Sequence, residues 1–153
     1  MVSGVTVGVI HGVEISPLRQ IRDERGAVYH MLRADEPAFE RFGEIYFSLV
    51  HRGVVKGWHR HSRMTLNYAC PVGRILLVLF DDRAGSPTFG QIQEIEMGED
   101  VYVRVRVPHQ VWNAFRGVSS VDSLVANCAT IPHDPDEIER IPHDDPRIPY
   151  RWS

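Results

Sequence analysis

The feature that most limits the possible folds of this chain is a series of short apolar or alternating segments, each ended by turn residues. The segment 101–107, VYVRVRV, alternates strictly and ends at Pro108, and 91–97, QIQEIEM, alternates and ends at Gly98. Further segments of this kind are 44–51, 54–61, 74–80 and 123–130. Period-two alternation over such lengths is typical of strands with one buried face. Because helix-length amphipathic segments are missing, we expect an all-β fold, an antiparallel sandwich or barrel.

Two parts of the chain depart from this pattern. The segment 34–43, ADEPAFERFG, is the only good helical candidate, a helix of one or two turns that begins near Asp35. Residues 131–152 hold five of the ten prolines. Proline lacks a backbone donor and interrupts regular elements, so this segment predicts an extended tail laid on the body of the protein. No linker-like stretch divides the chain, and we expect one domain over residues 1–153.

Composition narrows the choice of partner and compartment. The 153 residues are 43% hydrophobic, which suits a domain with a buried core, and the net charge is -3. The basic residues are scattered, so neither nucleic acid nor a membrane surface is an expected partner. Cys70 and Cys128 form neither a disulfide framework nor a Cys-x-x-Cys zinc motif. With no signal peptide and no apolar run of about 18 residues, we expect a cytoplasmic protein.

The segment 53–61, GVVKGWHRH, is the strongest candidate for a functional site. Alternate residues of a strand share a face, so His59 and His61 point to the same side as Gly57, and Lys56 points to the other. A glycine beside His59 would leave space for a ligand on the histidine face. Such a histidine is either a metal ligand, a proton carrier or an ordinary hydrogen-bonded core residue.

The spacing resembles the cupin pattern at Gly53, His59, His61 and Gly73. The carboxylate ligand of that pattern would fall at Thr65 or Leu66, and its third histidine at Asn113. Two ligands of four make a poor first shell for a transition metal, so we predict no metal and no cofactor. A metal-dependent, dioxygenase-type cupin stays as an alternative.

Five blocks, in order, resemble the dTDP-4-dehydrorhamnose 3,5-epimerase family, the metal-independent cupins of deoxysugar biosynthesis. They are DERG (23–26), RGVVKGWHRH (52–61), DDRAGSPTFG (81–90), VPHQVWNAF (107–115) and IPYRW (148–152). The resemblance spans residues 22 to 152, and SPTFG after Asp-x-Arg is its most specific part. It implies a homodimeric jelly-roll barrel that acts on a nucleotide-diphosphate sugar.

The resemblance also implies roles for individual residues. His59 matches the base that removes protons next to the ketone of a 4-keto-6-deoxyhexose nucleotide, and a neutral imidazole suits that task near pH 7. Lys56 stands where the family has an arginine that polarises the keto oxygen, and a cation there stabilises an enolate. Arg25 matches an arginine that reaches across the dimer to the diphosphate. Lys56 and His59 can share a face only if the strand carries a bulge near Gly57.

Three departures from the family pattern leave the acid partner open. The family's catalytic tyrosine falls at Ala126, its lysine falls near Leu66, and its aspartate that orients the base lies beyond the final Trp152. Tyr46 is the replacement acid that we expect from the preceding strand, although strand preference alone also accounts for a tyrosine there. The other substrate-binding candidates are Glu44, His61, Asn67, Trp112, Asn113 and Asn127.

The sequence therefore predicts an epimerase that acts at carbon 3, carbon 5 or both, with an atypical acid. The alternative is a cupin of the same ancestry that has lost epimerisation and either binds a sugar nucleotide or catalyses another metal-free enolisation or cyclisation.

Overall fold

Strands make up almost all of the regular structure in the computed structural model, which describes residues 9–153. The twelve strands are β1 (Glu14–Pro17), β2 (Gln20–Asp23), β3 (Gly26–Tyr29), β4 (Glu44–Val50), β5 (Val55–His61), β6 (Leu66–Val72), β7 (Arg74–Phe80), β8 (Ile92–Gly98), β9 (Val103–Val107), β10 (Trp112–Gly117), β11 (Ser123–Ala129) and β12 (Ile138–Arg140).

The strands form two five-stranded sheets and one hairpin. The first sheet has the order β1-β9-β6-β11-β4, and the second has the order β12-β5-β10-β7-β8. Strands β2 and β3 form the hairpin, and all the strand pairs are antiparallel. Apart from β7 and β8, neighbours in the two five-stranded sheets are not consecutive in the chain, as in a jelly roll. The all-β, cupin-type jelly-roll class predicted from the sequence is confirmed.

All six segments predicted as strands are strands, with ends shifted by up to two residues. Six strands were not predicted: β6, β10 and the short strands β1, β2, β3 and β12. Strand β6 (LNYACPV) is buried along most of its length and therefore shows no alternation. In β10, the polar Asn113 and Arg116 interrupt the apolar pattern.

The helix predicted for 34–43 is wrong. This segment makes two turns, in which Glu36 N donates to Arg33 O and Phe39 N donates to Glu36 O. Pro37 lacks the amide hydrogen that a continuing helix would need. The short helical element lies instead at Pro135–Glu137, a 3-10 turn whose N-terminus is capped by Asp134.

Residues 9–153 form two hydrophobic clusters, one on each side of the second sheet. The larger lies between the sheets and includes Ile75, Leu77 and Leu79 of β7. The smaller, the outer cluster, joins Trp58 and Trp112 to side chains of the tail and to the opposite face of β7. Both faces of β7 are therefore buried, which explains its continuous apolar sequence, RILLVLF.

The tail runs over the outer face of the second sheet, as predicted, but it also adds the edge strand β12. Ile138 and Arg140 pair with His61 and His59 of β5. A Cβ atom on Gly57 would lie 3.2 Å from His143 N and 3.3 Å from Ile141 O. The space at Gly57 therefore admits the backbone of the tail, not a ligand as the sequence suggested.

The loop after β7 is held by one buried carboxylate. Asp81 accepts hydrogen bonds from Arg83 Nε (2.8 Å), Ser86 Oγ (2.6 Å) and Thr88 Oγ1 (2.6 Å). Burial alone would raise the pKa of Asp81, but these hydrogen bonds lower it well below its usual value. The DDRAGSPTFG block thus builds a turn. Among residues 9–153, no helix is long and apolar enough to cross a membrane.

Candidate active site in the barrel cavity

A cavity of about 540 Å³ opens between the two sheets. Strand β5 supplies Lys56, Gly57, His59 and His61, and strands β4 and β11 of the facing sheet supply Glu44, Tyr46, Ser48, Val125 and Asn127. The remaining lining residues are Met64, Tyr68, Phe115, His133, Ile138 and Arg140. Of the ten predicted site residues, six line this cavity: Glu44, Tyr46, Lys56, His59, His61 and Asn127.

Strand β5 carries the bulge that this arrangement needs. Asn113 of β10 pairs with His59, but Phe115 pairs with Lys56, so three steps along β5 oppose two steps along β10. The extra residue changes the alternation of side chains between Lys56 and His59. Both side chains therefore enter the cavity, and Trp58 turns outward to the tail.

Each ring nitrogen of His59 lies near an oxygen atom of the protein. Nε2 lies 3.2 Å from the Tyr68 hydroxyl, and Nδ1 lies 3.4 Å from Gly57 O. Burial, helped by the nearby His61, lowers the pKa of His59 to about 4. The imidazole is therefore neutral at pH 7.

Tyr68, which sequence reasoning missed, belongs to a hydrogen-bonded chain beneath His59. Asn113 Nδ2 donates to His59 O (3.2 Å), which leaves Asn113 Oδ1 to accept from the Tyr68 hydroxyl (2.8 Å). The Tyr68 oxygen then accepts from His59 Nε2, because its one proton is already used. Burial raises the pKa of Tyr68 well above 10, so Tyr68 is a poor acid. Asn113 thus positions His59 and Tyr68 through hydrogen bonds and does not line the cavity.

A second chain fixes Tyr46 on the facing sheet. Asn127 Oδ1 accepts from Asn67 N (3.1 Å), so Asn127 Nδ2 donates to the Tyr46 hydroxyl oxygen (2.9 Å). The Tyr46 proton has no acceptor among the described residues and is available to a ligand. Asn67 itself points away from the cavity, and its Nδ2 donates to Cys128 O.

Lys56 spans the cavity mouth to the facing sheet. Its Nζ donates to Ser48 Oγ at 2.7 Å, and its side chain is exposed. Ser48 and Tyr46 are alternate residues of β4, so the ammonium group and the tyrosine hydroxyl belong to the same wall of the cavity. A carbonyl oxygen entering here would meet a cation and a hydroxyl donor.

His61 contacts a carboxylate that sequence reasoning missed. Its Nδ1 hydrogen-bonds to Glu137 Oε1, and both side chains are buried. Glu137 comes from the 3-10 turn of the tail, 76 positions further along the chain. No local sequence pattern could have paired these two residues.

Besides Asn67 and Asn113, two more predicted substrate contacts do not line the cavity. Trp112 packs in the outer cluster, where its Nε1 donates to Asp82 Oδ2 (2.9 Å) and the Arg60 guanidinium stacks on its ring. Alternation along β10 turns Trp112 outward because Asn113 turns inward, so its role in this chain is packing. Arg25 lies at the exposed tip of the β2–β3 hairpin, where it pairs with Asp23 at 2.6 Å.

Metal ligation finds little support in this geometry. Among residues 9–153, no three His, Cys, Asp or Glu side chains converge as metal ligands would. His59 Nε2 contacts Tyr68 and His61 Nδ1 contacts Glu137. The positions where the cupin pattern has further ligands hold Thr65, Leu66 and Asn113.

Comparison with known proteins adds a family match over nearly the whole chain. The family model described as dTDP-4-dehydrorhamnose 3,5-epimerase matches residues 8–153. A probable low-salt glycan biosynthesis epimerase of Haloferax volcanii is 39% identical over 149 residues, which cover 94% of this chain and 95% of that protein. A spore coat polysaccharide biosynthesis protein of Bacillus subtilis is 31% identical over 147 residues, which cover 95% and 97%.

Solved structures agree with these matches. A dTDP sugar isomerase from Desulfovibrio desulfuricans superposes with a TM-score of 0.92 and 49% sequence identity, covering 94% of this chain and 92% of that one. A 4-keto-6-deoxy sugar epimerase from Streptomyces spheroides superposes with a TM-score of 0.85 at 22% identity, which shows a shared fold.

Proposed function

The chain belongs to the dTDP-4-dehydrorhamnose 3,5-epimerase family and is an isomerase, and from this premise we propose its substrate and mechanism. The substrate is a 4-keto-6-deoxyhexose nucleotide, linked to dTDP. The reaction inverts carbon 3, carbon 5 or both, by removal and return of a proton next to the ketone. The related structures bear on this choice, since one is named a dTDP sugar isomerase and another a 4-keto-6-deoxy sugar epimerase.

The observation that carries the proposal is the meeting of three side chains in one cavity. Lys56 and His59 enter from β5, and Tyr46 enters from β4 of the facing sheet. Inversion at carbon requires a base on one face of the sugar and an acid on the other, and two facing sheets can supply them. The volume, about 540 Å³, lies in the range of small-molecule sites.

Each of the three residues has a separate role in the proposed reaction. His59, neutral at pH 7, accepts the proton from carbon. Lys56 stabilises the negative charge that develops on the keto oxygen as the enolate forms. Tyr46 holds a proton that no described residue accepts and returns it to the opposite face.

Recognition of the nucleotide involves further residues. We propose that Glu44 and Asn127 contact the sugar from the facing sheet, since both line the cavity. We propose a homodimer in which Arg25, exposed on its hairpin, reaches the diphosphate bound by the partner subunit. The enzyme acts without a cofactor, in the cytoplasm, where buried free thiols such as Cys70 and Cys128 stay reduced.

Deuterium incorporation tests the proposal. The protein is incubated in heavy water with dTDP-4-keto-6-deoxyglucose, and NMR follows deuterium at carbons 3 and 5. We expect incorporation at one or both carbons, and a loss of about 100-fold or more in His59→Asn. His51→Gln is the matched control, because His51 pairs with Asp122 at an exposed site outside the cavity. Tight binding of the nucleotide sugar without any incorporation by the wild type would contradict the epimerase.

One observation favours the binding-only alternative as a second candidate. With its proton on Nε2, which donates to Tyr68, His59 carries its lone pair on Nδ1, and this nitrogen lies 3.4 Å from Gly57 O instead of pointing freely at a substrate. In the binding-only protein, calorimetry would detect the nucleotide sugar, and NMR would detect no exchange.

A further inference from the structure

The buried pair of His61 and Glu137 has the organisation of an acid–base couple. Its two side chains are 5% and 2% exposed, which is rare for charged groups without a specific role. The pair stands beside His59, and the two imidazole rings lie edge to face with their centroids 5.5 Å apart.

Glu137 is held as a carboxylate. Its Oε2 accepts from Arg63 N (3.0 Å) and Met64 N (3.1 Å), and its Oε1 contacts His61 Nδ1. Burial alone would raise the pKa of Glu137, but His61 and the two backbone amides lower it. The charge is therefore present at neutral pH, and it holds the proton of a neutral His61 on Nδ1.

The other nitrogen of His61 has no partner. Nε2 is buried and makes no hydrogen bond with any residue from 9 to 153, although His61 lines the cavity. With the proton on Nδ1, Nε2 carries a buried lone pair that no described residue uses. Buried polar atoms nearly always find a partner, so this one points to a ligand group. His59 differs, because both its nitrogens contact the protein.

We propose that His61 is a second catalytic base of this cavity, acting through Nε2, with Glu137 as its positioning carboxylate; the inference rests on the proposed epimerase function. His61 Nε2 takes the proton from a carbon next to the ketone, and the C–H electron pair becomes the enolate double bond. The carbonyl electron pair moves to oxygen, beside Lys56. Tyr46 returns a proton to the opposite face, and proton exchange with solvent restores both groups.

The carboxylate explains why His61 suits this step. When Nε2 takes up a proton, the imidazolium forms next to a fixed negative charge, which stabilises it. His59 lacks such a partner, and burial opposes its protonation. The same substrate can therefore meet two bases, His59 without a carboxylate partner and His61 with Glu137 as its carboxylate partner.

Position-resolved deuterium incorporation in His61→Gln and Glu137→Gln tests the inference. We expect His61→Gln to lower incorporation about 100-fold at one or both carbons. Glu137→Gln should lower it about 10-fold at the same carbons and move the acid limb of the pH–rate profile to lower pH, because the imidazolium loses its counter-charge. A purely structural pair would not move that limb. His51→Gln, which alters an exposed His–carboxylate pair, is the control.

Thermal melting and calorimetric binding of dTDP show whether each variant is folded. If His61→Gln does not fold, the pH–rate profile of Glu137→Gln tests the inference. Incorporation by a folded His61→Gln within threefold of the wild type at both carbons would overturn the inference while the epimerase stands. Absence of incorporation by the wild type would instead overturn the proposed function, and the inference with it.

Discussion

Tyr46 and Tyr68 both enter the cavity from the first sheet, but their hydrogen bonds give them opposite capacities. The Tyr68 proton is bound by Asn113, and burial raises the pKa of its hydroxyl well above 10. Tyr46 accepts from Asn127, keeps its own proton free and is 39% exposed. The two tyrosines thus differ in chemistry because Asn113 presents its amide oxygen to Tyr68, whereas Asn127 presents its amide nitrogen to Tyr46.

Replacing Tyr46 with phenylalanine tests its role as the acid. We expect the inverted product to fall about 100-fold, because no donor remains on the face opposite the base. Deuterium incorporation with retained configuration should persist, since His59, His61 and Lys56 are unchanged. Product configuration and isotope content are read together by NMR. Tyr29→Phe, on the β2–β3 hairpin outside the cavity, is the control. Equal loss of exchange and inversion in Tyr46→Phe would contradict the assignment.

The low pKa of His59 predicts a loss of stability in acid. The folded protein holds this group with a pKa of about 4, against 6.5 in the unfolded chain, so the unfolded state binds more protons between these values. Stability from His59 is present above pH 6.5 and is lost as the pH falls toward 4. Between pH 7 and pH 5, the wild type should lose about 2 kcal/mol more unfolding free energy than His59→Asn, an upper value because the ring borders the cavity.

Urea unfolding at both pH values measures the difference. His51→Gln, at an exposed site, should lose as much unfolding free energy between pH 7 and pH 5 as the wild type does. Equal losses in the wild type and His59→Asn would show that His59 titrates as it does in the unfolded chain.

At the scale of elements, loops and edges position the site as much as strands do. The extra residue in β5 brings Lys56 beside His59, and the 3-10 turn of the tail brings Glu137 to His61. The tail is therefore part of the candidate site and not only a cover for the outer cluster.

The loop after β7 offers a stability test at this scale. Asp81→Asn removes the charge that holds Arg83, Ser86 and Thr88, and breaking such a buried pair costs about 3 kcal/mol. Stability from Asp81 is present above the unfolded pKa of 3.8 and is lost as the pH falls below it, because its folded pKa is depressed. Urea unfolding at neutral pH measures the cost. Asp23→Asn, at an exposed ion pair, should leave the midpoint unchanged, and an equally small effect of Asp81→Asn would contradict this account.

For the whole molecule, the edge strand β4 suggests where a second copy would bind. Its outward residues Ile45, Phe47 and Leu49 are 50%, 62% and 51% exposed. A row of large apolar side chains on an exposed strand is unusual unless another surface covers it.

Charge at this edge should separate the proposed dimer. We expect Phe47→Glu to be a monomer in sedimentation experiments at concentrations where the wild type is a dimer, because burying a lone carboxylate is costly. Phe89→Glu, an equally exposed phenylalanine in the loop after β7, is the matched control. Persistence of the dimer in Phe47→Glu would place the interface elsewhere.

The sequence by itself determined six of the twelve described strands and the position of the predicted base, His59, on one of them. Alternation in 101–107 and 91–97 requires one buried face, and this local requirement survives in the fold. The DDRAGSPTFG block likewise specifies its own turn, because the hydrogen-bond donors to the Asp81 carboxylate lie within seven residues of it. The sequence places His59 on β5 for the same reason, since spacing within one strand is a local property.

Only the tertiary structure decided which groups complete the site. Glu137 meets His61 across 76 positions, Asn113 meets Tyr68 across 45, and Asn127 meets Tyr46 across 81. Trp112 and Asn113 are neighbours in sequence, yet one faces the tail and the other faces the barrel. Such contacts depend on sheet order and register, which a local pattern does not encode, and so the partners of a base are decided by the fold that surrounds it.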